Sequence, residues 1–455
     1  MNFYRIVSLQ FALALMVFSS GCEQSAEDDG VMQEPAVKVT EGETIAESAA
    51  GKLLIVGGAL RSDNQSIYRA FIESMPDELP EVAIIPAASG RPSHYARQFA
   101  DDLRAYGFTG EIRVLPIAVR DDPHSEVDEG GWRDGGRDRK VAKQLKRAGG
   151  IWFVGGDQGR LTQTMLESDG GDTPVLAAIR AQLRKGAIVG GTSAGAAIMS
   201  RTMIAAGDSL SALTLPGTDP EGGMDELESG RLVLAKGLGF LPLGIVDQHF
   251  DRKGRLGRLI RALAEPQALP ERVGFGVDED TAVLVDLAAL DMQVLGAGNL
   301  VLVDARHANF STGGGPFAAS GLQLSVLSSG DQYNWSTGEV QVTGTATVGH
   351  EATGYVADQG AGLALPNQRL DHLLGFSLLD NSETGLLRRY AFDESSGRGV
   401  LFEFRQTEDS RGFWRYGSGT KDQYSLLGVE LEVKPVQVSI SPLLATAVEV
   451  SQHSQ

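Results

Sequence analysis

The sequence predicts an α/β protein: a three-layer α/β/α domain with a mainly parallel sheet, followed by a C-terminal, mainly β accessory region. From residue 52 onward, short apolar runs alternate with amphipathic helical patterns, which is typical of a parallel sheet covered by helices on both faces. After residue 304 the alternation gives way to short stretches rich in Thr, Val and Gly.

In the first part of the domain, strand and helix patterns follow one another in order. Strands are predicted at 52–56, 82–86, 112–115, 151–154 and 187–189. Helices are predicted at 66–75, 93–106, 137–147 and 175–185. Glycine-rich turns follow three of these strands, at 57–58, 155–158 and 190–193. Because ligands bind at the carboxyl ends of such strands, the three turns are expected to meet at one site.

The predicted α/β domain covers residues 51–304. Its later strands are expected at 244–246, 273–277, 282–285 and 300–303. Residues 305–455 form the predicted β-rich accessory region, in which stretches such as 340–348 favour strands and one helix is expected near 367–374.

The N-terminus has the features of an export signal. A basic start precedes an apolar run at 6–18 that is too short to span a membrane as a mature helix. Cys22, the single cysteine, follows Ser-Ser-Gly and resembles the lipidated cysteine of a bacterial lipobox, although Ser19 stands where leucine is usual. Residues 1–22 are predicted to be a signal peptide and residues 23–50 a flexible tether.

These features predict a protein of the cell envelope whose only membrane attachment is a lipid on Cys22. Glu23 favours sorting to the outer membrane, and ordinary secretion is the alternative.

The charge of the chain argues against nucleic acid as a partner. Lys and Arg number 40 against 59 Asp and Glu, and the resulting net charge of −19 repels phosphate backbones. Such acidity attracts cationic substrates, but it also keeps exported proteins soluble. The sequence does not determine the oligomeric state, and a homodimer is one assembly open to it.

The segment 191–195, Gly-Thr-Ser-Ala-Gly, matches the G-x-S-x-G nucleophile elbow. A buried strand precedes it and a helix-forming run, 194–201, follows it, which is the context that the motif requires. This pattern predicts Ser193 as a nucleophile, with the N–H of Ala194 donating to a developing oxyanion. The alternative is an ordinary serine that caps a helix.

A nucleophilic serine needs a base and an acid that orients the base. His249 alone among the seven histidines directly follows a buried-strand pattern within the α/β domain, so it is the best candidate for the base. Glu279, in a turn after another strand, and Asp247 are both candidates for the acid. The spacing does not choose between them.

The sequence has no signature of a metal or cofactor. It lacks a cysteine pair and an H-E-x-x-H motif, and the glycine-rich turn at 155–159 carries an acid where a dinucleotide fingerprint needs only backbone. Hydrolysis without a cofactor is therefore expected.

Four ordered segments closely resemble the cyanophycinases of serine peptidase family S51. They are 155–158, 190–196, 247–250 and 276–282, and the resemblance covers roughly residues 52–304. It implies that Ser193 is the nucleophile, His249 the base and Glu279 the orienting acid. It further implies that Gln158 and Asp247 line the site and that Gly156 contributes a second oxyanion N–H.

The same resemblance implies a substrate. Cyanophycin is a polyaspartate backbone with arginine joined to each β-carboxylate, and the family cuts it from the chain end to β-aspartyl-arginine dipeptides. Arg255 and Arg258 match the family's carboxylate-binding arginines, and Lys253 stands where a third arginine is expected. The alternative for this basic set is a solvated helix face.

Two other functions compete with this prediction. An aspartyl dipeptidase would use the same triad on another acidic peptide, and a lipoprotein binding module would keep the fold without catalysis. An insertion around 215–228, rich in Gly, Asp and Glu, is expected to border the cleft and to influence which side chain is accepted.

Overall fold

A computed structural model describes residues 4–6, 51–217, 228–268, 270–311, 315–361, 369–417 and 421–441. Apart from residues 4–6, the predicted signal peptide and tether, Cys22 included, lie outside the described residues. Within the described part of the chain, no helix is both long and apolar enough to cross a membrane.

The helices are short and lie mostly in the first two thirds of the chain. The α-helices are α1 Gln65–Glu73, α2 Pro92–Ala105, α3 Arg139–Lys143, α4 Gln158–Met165, α5 Pro174–Leu183, α6 Ala194–Ala197, α7 Ser209–Thr214, α8 Leu256–Ala264 and α9 Leu370–Leu374. Turns of 3₁₀-helix lie at Gly130–Trp132, Gly135–Arg137, Gln144–Arg147 and Pro266–Ala268, and a π-helix lies at Gly375–Leu379.

The strands extend through both predicted regions. They are β1 Tyr4–Ile6, β2 Lys52–Val56, β3 Glu81–Ile85, β4 Ile112–Val114, β5 Ala148–Phe153, β6 Ile188–Thr192, β7 Thr202–Ala206, β8 Val233–Lys236, β9 Ile245–Asp247, β10 Val273–Val277, β11 Thr281–Asp286, β12 Asp291–Gly296, β13 Asn299–Asp304, β14 Asn309–Ser311, β15 Ala318–Ser328, β16 Gln332–Asn334, β17 Val340–Val342, β18 Thr345–Ala346, β19 Gly360–Ala361, β20 Leu386–Phe392, β21 Arg398–Arg405, β22 Arg411–Tyr416 and β23 Asp422–Gln437.

The first sheet has the order β1-β17-β16-β12-β11-β2-β6-β5-β3-β4. Its β2-β6-β5-β3-β4 half is parallel and is covered on both faces. Alternation along β2 shows the two faces: Leu53 and Ile55 pack with α3 and α5, whereas Leu54 and Val56 pack with α1 and α2. The predicted three-layer α/β/α arrangement is confirmed for this half.

The second sheet has the order β19-β20-β21-β23-β15-β13-β10-β9, with β14, β18 and β22 paired to its members. Apart from the parallel pairs β9-β10 and β19-β20, its pairings are antiparallel. The prediction of one mainly parallel sheet therefore applies only to half of the first sheet. Strand patterns gave the positions of β9, β10 and β13, but they do not specify which sheet a strand joins.

The C-terminal region is rich in strands, as predicted, but it shares its cores with the α/β part. Beyond residue 304, β15 pairs with β13 along six residue pairs, and β16 pairs with β12. Leu327, Val342 and Phe413 belong to the same hydrophobic cluster as Leu53 and Ile55. The predicted boundary at residue 304 thus lies inside one continuous packed structure.

Candidate active site

Five chain turns converge where the two sheets meet. Gly58 follows β2, Gly156 follows β5 and Ser193 follows β6, all in the first sheet. His249 follows β9 and Glu279 follows β10, in the second sheet. The turn between β10 and β11 connects the two sheets directly, because β10 pairs within the second sheet and β11 pairs with β2.

Ser193 lies on a sharp turn between β6 and α6. Its backbone has φ 55° and ψ −109°, a conformation that side chains rarely adopt, and its N–H donates to Val56 O over 3.0 Å. The glycines of the motif are needed for this turn, since a Cβ on Gly191 would lie 2.7 Å from Gly195 O. The side chain of Ser193 does not cap α6, so its hydroxyl is free for another partner.

That partner is His249, which in turn contacts Glu279. Ser193 Oγ lies 2.9 Å from His249 Nε2, and His249 Nδ1 lies 2.6 Å from Glu279 Oε1. The two candidate acids therefore differ in position. Glu279 faces the imidazole, whereas Asp247 turns away from it and accepts hydrogen bonds from Arg258. A hydroxyl, an imidazole and a carboxylate in this order form the geometry of a serine hydrolase triad.

The backbone around this triad is unusually strained. Six non-glycine residues of the described chain have positive φ, and four of them are Ala59, Ser193, His249 and Asp280, with φ between 47° and 55°. Each such conformation costs on the order of 1–3 kcal/mol and is typical of functional sites.

Gly58 and Asp251 support the triad, and their roles were not predicted from the sequence. Gly58 has φ +115°, and a Cβ there would lie 2.3 Å from His249 Cε1, so only glycine leaves room for the imidazole. Asp251 accepts a hydrogen bond from the N–H of Glu279 over 3.1 Å. The glycine-rich turn at 57–58 was a signal of close approach, but nothing in the sequence identified the group that approaches.

The environment of His249 favours its neutral form. Burial lowers the pKa of the imidazole, the hydrogen bond to Glu279 opposes this effect, and the positive charges of Lys253 and Arg255 lower the pKa further. At neutral pH the imidazole is therefore in the form that accepts a proton, which is the form a general base requires.

Two backbone donors are available beside Ser193. Ala194 is the first residue of α6, and Gly156 has φ +146° in the turn after β5. Within the described part of the chain, neither N–H donates to another backbone carbonyl in a turn or loop. A Cβ on Gly156 would lie 2.2 Å from Ala88 O, so this turn requires glycine. Both positions suit the predicted oxyanion donors.

A cavity of about 350 Å³ opens beside Ser193 and His249. Gly155 and Gly156 form part of its wall. The other lining side chains are mostly aromatic and polar, among them Tyr68, Tyr95, Gln98, Phe99, Asp102 and Trp152. A volume of this size accommodates a small ligand or a side chain of a polymer.

Gln158 and Asp247, which were expected to line the site, lie behind it instead. Gln158 is buried, and its Nε2 donates to Ala205 O over 2.5 Å, which ties α4 to β7. The Asp247 carboxylate is buried and pairs with Arg258 at 2.5 Å. Neither side chain borders the cavity beside Ser193. Their positions indicate a structural contribution.

The predicted substrate contacts of Arg255 and Arg258 are contradicted by their burial. Arg258 is 2% exposed and gives its donors to Asp247 and Gly207 O. Arg255 is 3% exposed and donates to Gln248 O and to a Glu228 oxygen 2.8 Å away. The alternative, a solvated helix face, is also wrong, because all nine residues of α8 are buried.

Lys253 is the one predicted binding residue that is partly exposed. Its side chain is 34% exposed, and its Nζ lies 2.5 Å from Glu228 Oε1. Although burial opposes the effect, the charges of Arg255 and Lys253 hold the pKa of Glu228 at about 2. Glu228, at the end of the inserted segment, thus contacts both Lys253 and Arg255. Residues 218–227 of that segment lie outside the described residues.

In the described part of the chain, no group of three or more His, Cys, Asp or Glu side chains has the geometry to hold a metal ion.

Comparison with known proteins assigns the family. The sequence model of peptidase family S51 matches residues 53–291, slightly more than half of the chain. The chain belongs to peptidase family S51. This S51 peptidase is accordingly a serine-type peptidase, and the resemblance found in its sequence motifs is confirmed.

Curated relatives of this S51 peptidase are named cyanophycinases. The protein of Synechococcus elongatus is 33% identical over 299 residues, which cover 64% of this chain and 81% of the relative. That of Trichormus variabilis is 33% identical over 290 residues, covering 62% and 85%. Among solved structures, a peptidase from an acI-B1 Actinobacterium aligns with 63% of this chain and 98% of its own, at 19% identity and a TM-score of 0.43.

Proposed function

We propose that this S51 peptidase is an exported cyanophycinase that releases β-aspartyl-arginine dipeptides from the end of cyanophycin through an acyl-enzyme. The observation that carries the proposal is the Ser193–His249–Glu279 arrangement, with contacts of 2.9 Å and 2.6 Å, next to a cavity. The name shared by its curated relatives supports the choice of substrate.

In the proposed acylation step, Ser193 Oγ attacks the carbonyl carbon of the scissile amide and gives its proton to His249 Nε2. Glu279 accepts the Nδ1–H, which fixes the imidazole tautomer and stabilises the imidazolium that forms. The N–H groups of Gly156 and Ala194 stabilise the oxyanion of the tetrahedral intermediate. When the C–N bond breaks, the leaving amine takes the proton from His249.

Deacylation repeats these steps with water as the nucleophile. His249, neutral again, removes a proton from the water, which attacks the ester carbonyl on Ser193. Collapse of the second intermediate returns the proton to Ser193 Oγ and releases the carboxylate product.

The proposed location rests on the N-terminal sequence. The apolar segment and the Ser-Ser-Gly-Cys sequence that ends at Cys22 support export and lipidation, followed by a tether to the folded part. An enzyme held at the envelope in this way would digest polymer outside the cytoplasm.

The proposed reaction is tested with purified protein and cyanophycin granules. We expect the wild type and Ser66→Ala, a surface serine variant on α1, to solubilise the granules and release β-aspartyl-arginine, identified by mass. Ser193→Ala should keep its fold and lose at least about 10³-fold in rate, because the attacking hydroxyl is gone. Equal rates for Ser193→Ala and the wild type would refute the mechanism, and no release by the wild type would refute the substrate.

A further inference from the structure

Among the described residues, one carboxylate lines the cavity beside Ser193, and the triad does not use it. Asp102, on α2, lines this cavity together with Ser193 and His249. No Lys or Arg is among the described residues that line the cavity, and none forms an ion pair with Asp102 in the described part of the chain. Within the described part of the chain, the carboxylate of Asp102 thus borders the cavity without a cationic partner.

The hydrogen bonds of Asp102 leave one of its oxygens available. Tyr68 Oη donates to Asp102 Oδ2 over 2.8 Å, and Ser62 Oγ donates to the same oxygen over 3.1 Å. Burial and the neighbouring Asp102 carboxylate raise the pKa of Tyr68, so the phenol keeps its proton and remains a donor. No described residue donates to Oδ1. Two donors therefore fix the carboxylate in place while Oδ1 can accept from a ligand.

The surroundings of Asp102 suit a flat cation. The ring of Tyr68 packs against that of Phe99 in a tilted arrangement, with a centroid distance of 5.9 Å, and Phe99 stacks on Trp152 at 4.0 Å. Tyr95 also lines the cavity, and its side chain is 46% exposed. Aromatic faces attract guanidinium groups, and a carboxylate binds them through charge-assisted hydrogen bonds.

We propose that Asp102 binds the guanidinium of a substrate arginine side chain and is the residue that makes this peptidase selective for a cationic side chain. This role rests on the proposed function and deepens it, because it names the residue that binds the side chain of the substrate. A long side chain that carries its charge away from the backbone suits a cavity whose lining includes both Ser193 and this carboxylate.

The test compares two soluble substrates that differ in charge alone. One is a β-aspartyl-arginine dimer with the backbone linkage of cyanophycin, and the other is the same dimer with citrulline, whose neutral urea has nearly the same shape as a guanidinium. The enzymes are the wild type, Asp102→Asn and, as a matched control, Asp101→Asn, which removes an exposed carboxylate from the adjacent position of α2.

We expect Asp102→Asn to lose about 10- to 100-fold in kcat/KM on the arginine dimer and to change little on the citrulline dimer. Asp101→Asn should behave as the wild type on both. A fluorophosphonate probe that labels Ser193 at the same rate in all three proteins would show that the triad is intact.

Three other outcomes are distinct. If the wild type cleaves neither dimer, the proposed function itself fails. If the wild type cleaves the arginine dimer and Asp102→Asn cleaves it equally well, the proposed function survives and the role of Asp102 is refuted. If Asp102→Asn loses the same factor on both dimers, Asp102 acts through Tyr68 on the shape of the cavity, and recognition of the cation is refuted.

Discussion

At the scale of single residues, the active site depends on side chains held in strained backbone. Ser193 and His249 have φ values of 55° and 47°, and backbone hydrogen bonds hold them there, such as the 2.6 Å bond that the His249 N–H donates to Gly57 O. This strain directs the hydroxyl and the imidazole toward each other from two different sheets. The surrounding fold therefore supplies the free energy that keeps the triad assembled.

The electrostatic environment of His249 leads to a prediction about pH. In the proposed mechanism a protonated imidazole cannot accept the proton of Ser193, so we expect kcat/KM to fall as the pH falls through the pKa of His249. Burial is the main cause that lowers this pKa, and the charge of Lys253 adds to it. Lys253→Gln removes that charge, so we expect the acidic limb of the kcat/KM profile to move to higher pH.

Arg252→Gln is the matched control, because it removes the same charge from an exposed side chain on the adjacent position. Its acidic limb should stay at the wild-type pH. A shift of equal size in both variants would mean that net charge, rather than the position of Lys253, sets the pKa of His249.

Single residues also show what a sequence pattern can predict. The strand-turn-helix context of Ser193 and the strand before His249 predict these two positions, and the structure brings their side chains within 2.9 Å, because each is placed by local backbone. Arg255 and Arg258 were misassigned for a physical reason: an arginine near a site can bind a substrate or an internal carboxylate, and its partner is set by tertiary packing. Here the partners are Glu228 and Asp247.

At the scale of elements, the turn after β2 decides where the imidazole lies. Gly58→Ala would place a Cβ 2.3 Å from His249 Cε1 and would also strain a backbone of φ +115°. We expect a displaced imidazole and a loss of about 10- to 100-fold in kcat, since small misplacements of catalytic groups have costs of this size. The folded structure should persist, as measured by circular dichroism and thermal unfolding.

The variant Gly107→Ala is a control that separates the effect of backbone strain from that of a displaced imidazole. Gly107 has φ +92° and no atom within 4 Å of an added Cβ, so it carries the backbone strain without a clash. We expect Gly107→Ala to lower the free energy of unfolding about as much as Gly58→Ala does, and to leave kcat unchanged. Loss of kcat in both variants would show that global destabilisation, and not the position of His249, limits the reaction.

Most strands of the α/β part could be predicted from apolar runs, and β2 and β10 match their predicted bounds. What could not be predicted is that β9 and β10 join a different sheet from β2 and β6. Pairing depends on long-range packing, whereas an apolar run reports only that a strand is buried. The small elements between 200 and 240, such as β7 and β8, lack a strong period and were missed.

At the scale of the whole molecule, the C-terminal region completes the core instead of being appended to it. Ile245 and Leu259, close to the site, pack in one cluster with Phe402, Leu426 and Leu431 of the C-terminal region. Composition changes after residue 304 because helices give way to strands, and this change by itself predicts a domain boundary. A change in secondary structure does not by itself show where a core ends.

This packing predicts the effect of truncation. A chain that ends at residue 304 leaves β13 without its partner β15 and exposes apolar surface of two clusters. We expect such a chain to be insoluble or to lack a cooperative thermal transition, whereas a chain from residue 51 to residue 441 should fold. A soluble, active fragment of residues 51–304 would contradict the shared core.

The central claim, that Ser193 is acylated by cyanophycin, is tested most directly by mass spectrometry of acid-quenched enzyme. The wild type is mixed with cyanophycin, quenched within one turnover and digested, and the peptide that contains Ser193 is examined for an ester-linked acyl adduct built of β-aspartyl-arginine units. We predict that the adduct forms on Ser193 in the wild type and is absent from Ser193→Ala. Release of dipeptide by the wild type with an adduct on another residue, or with undiminished release by Ser193→Ala, would contradict the account.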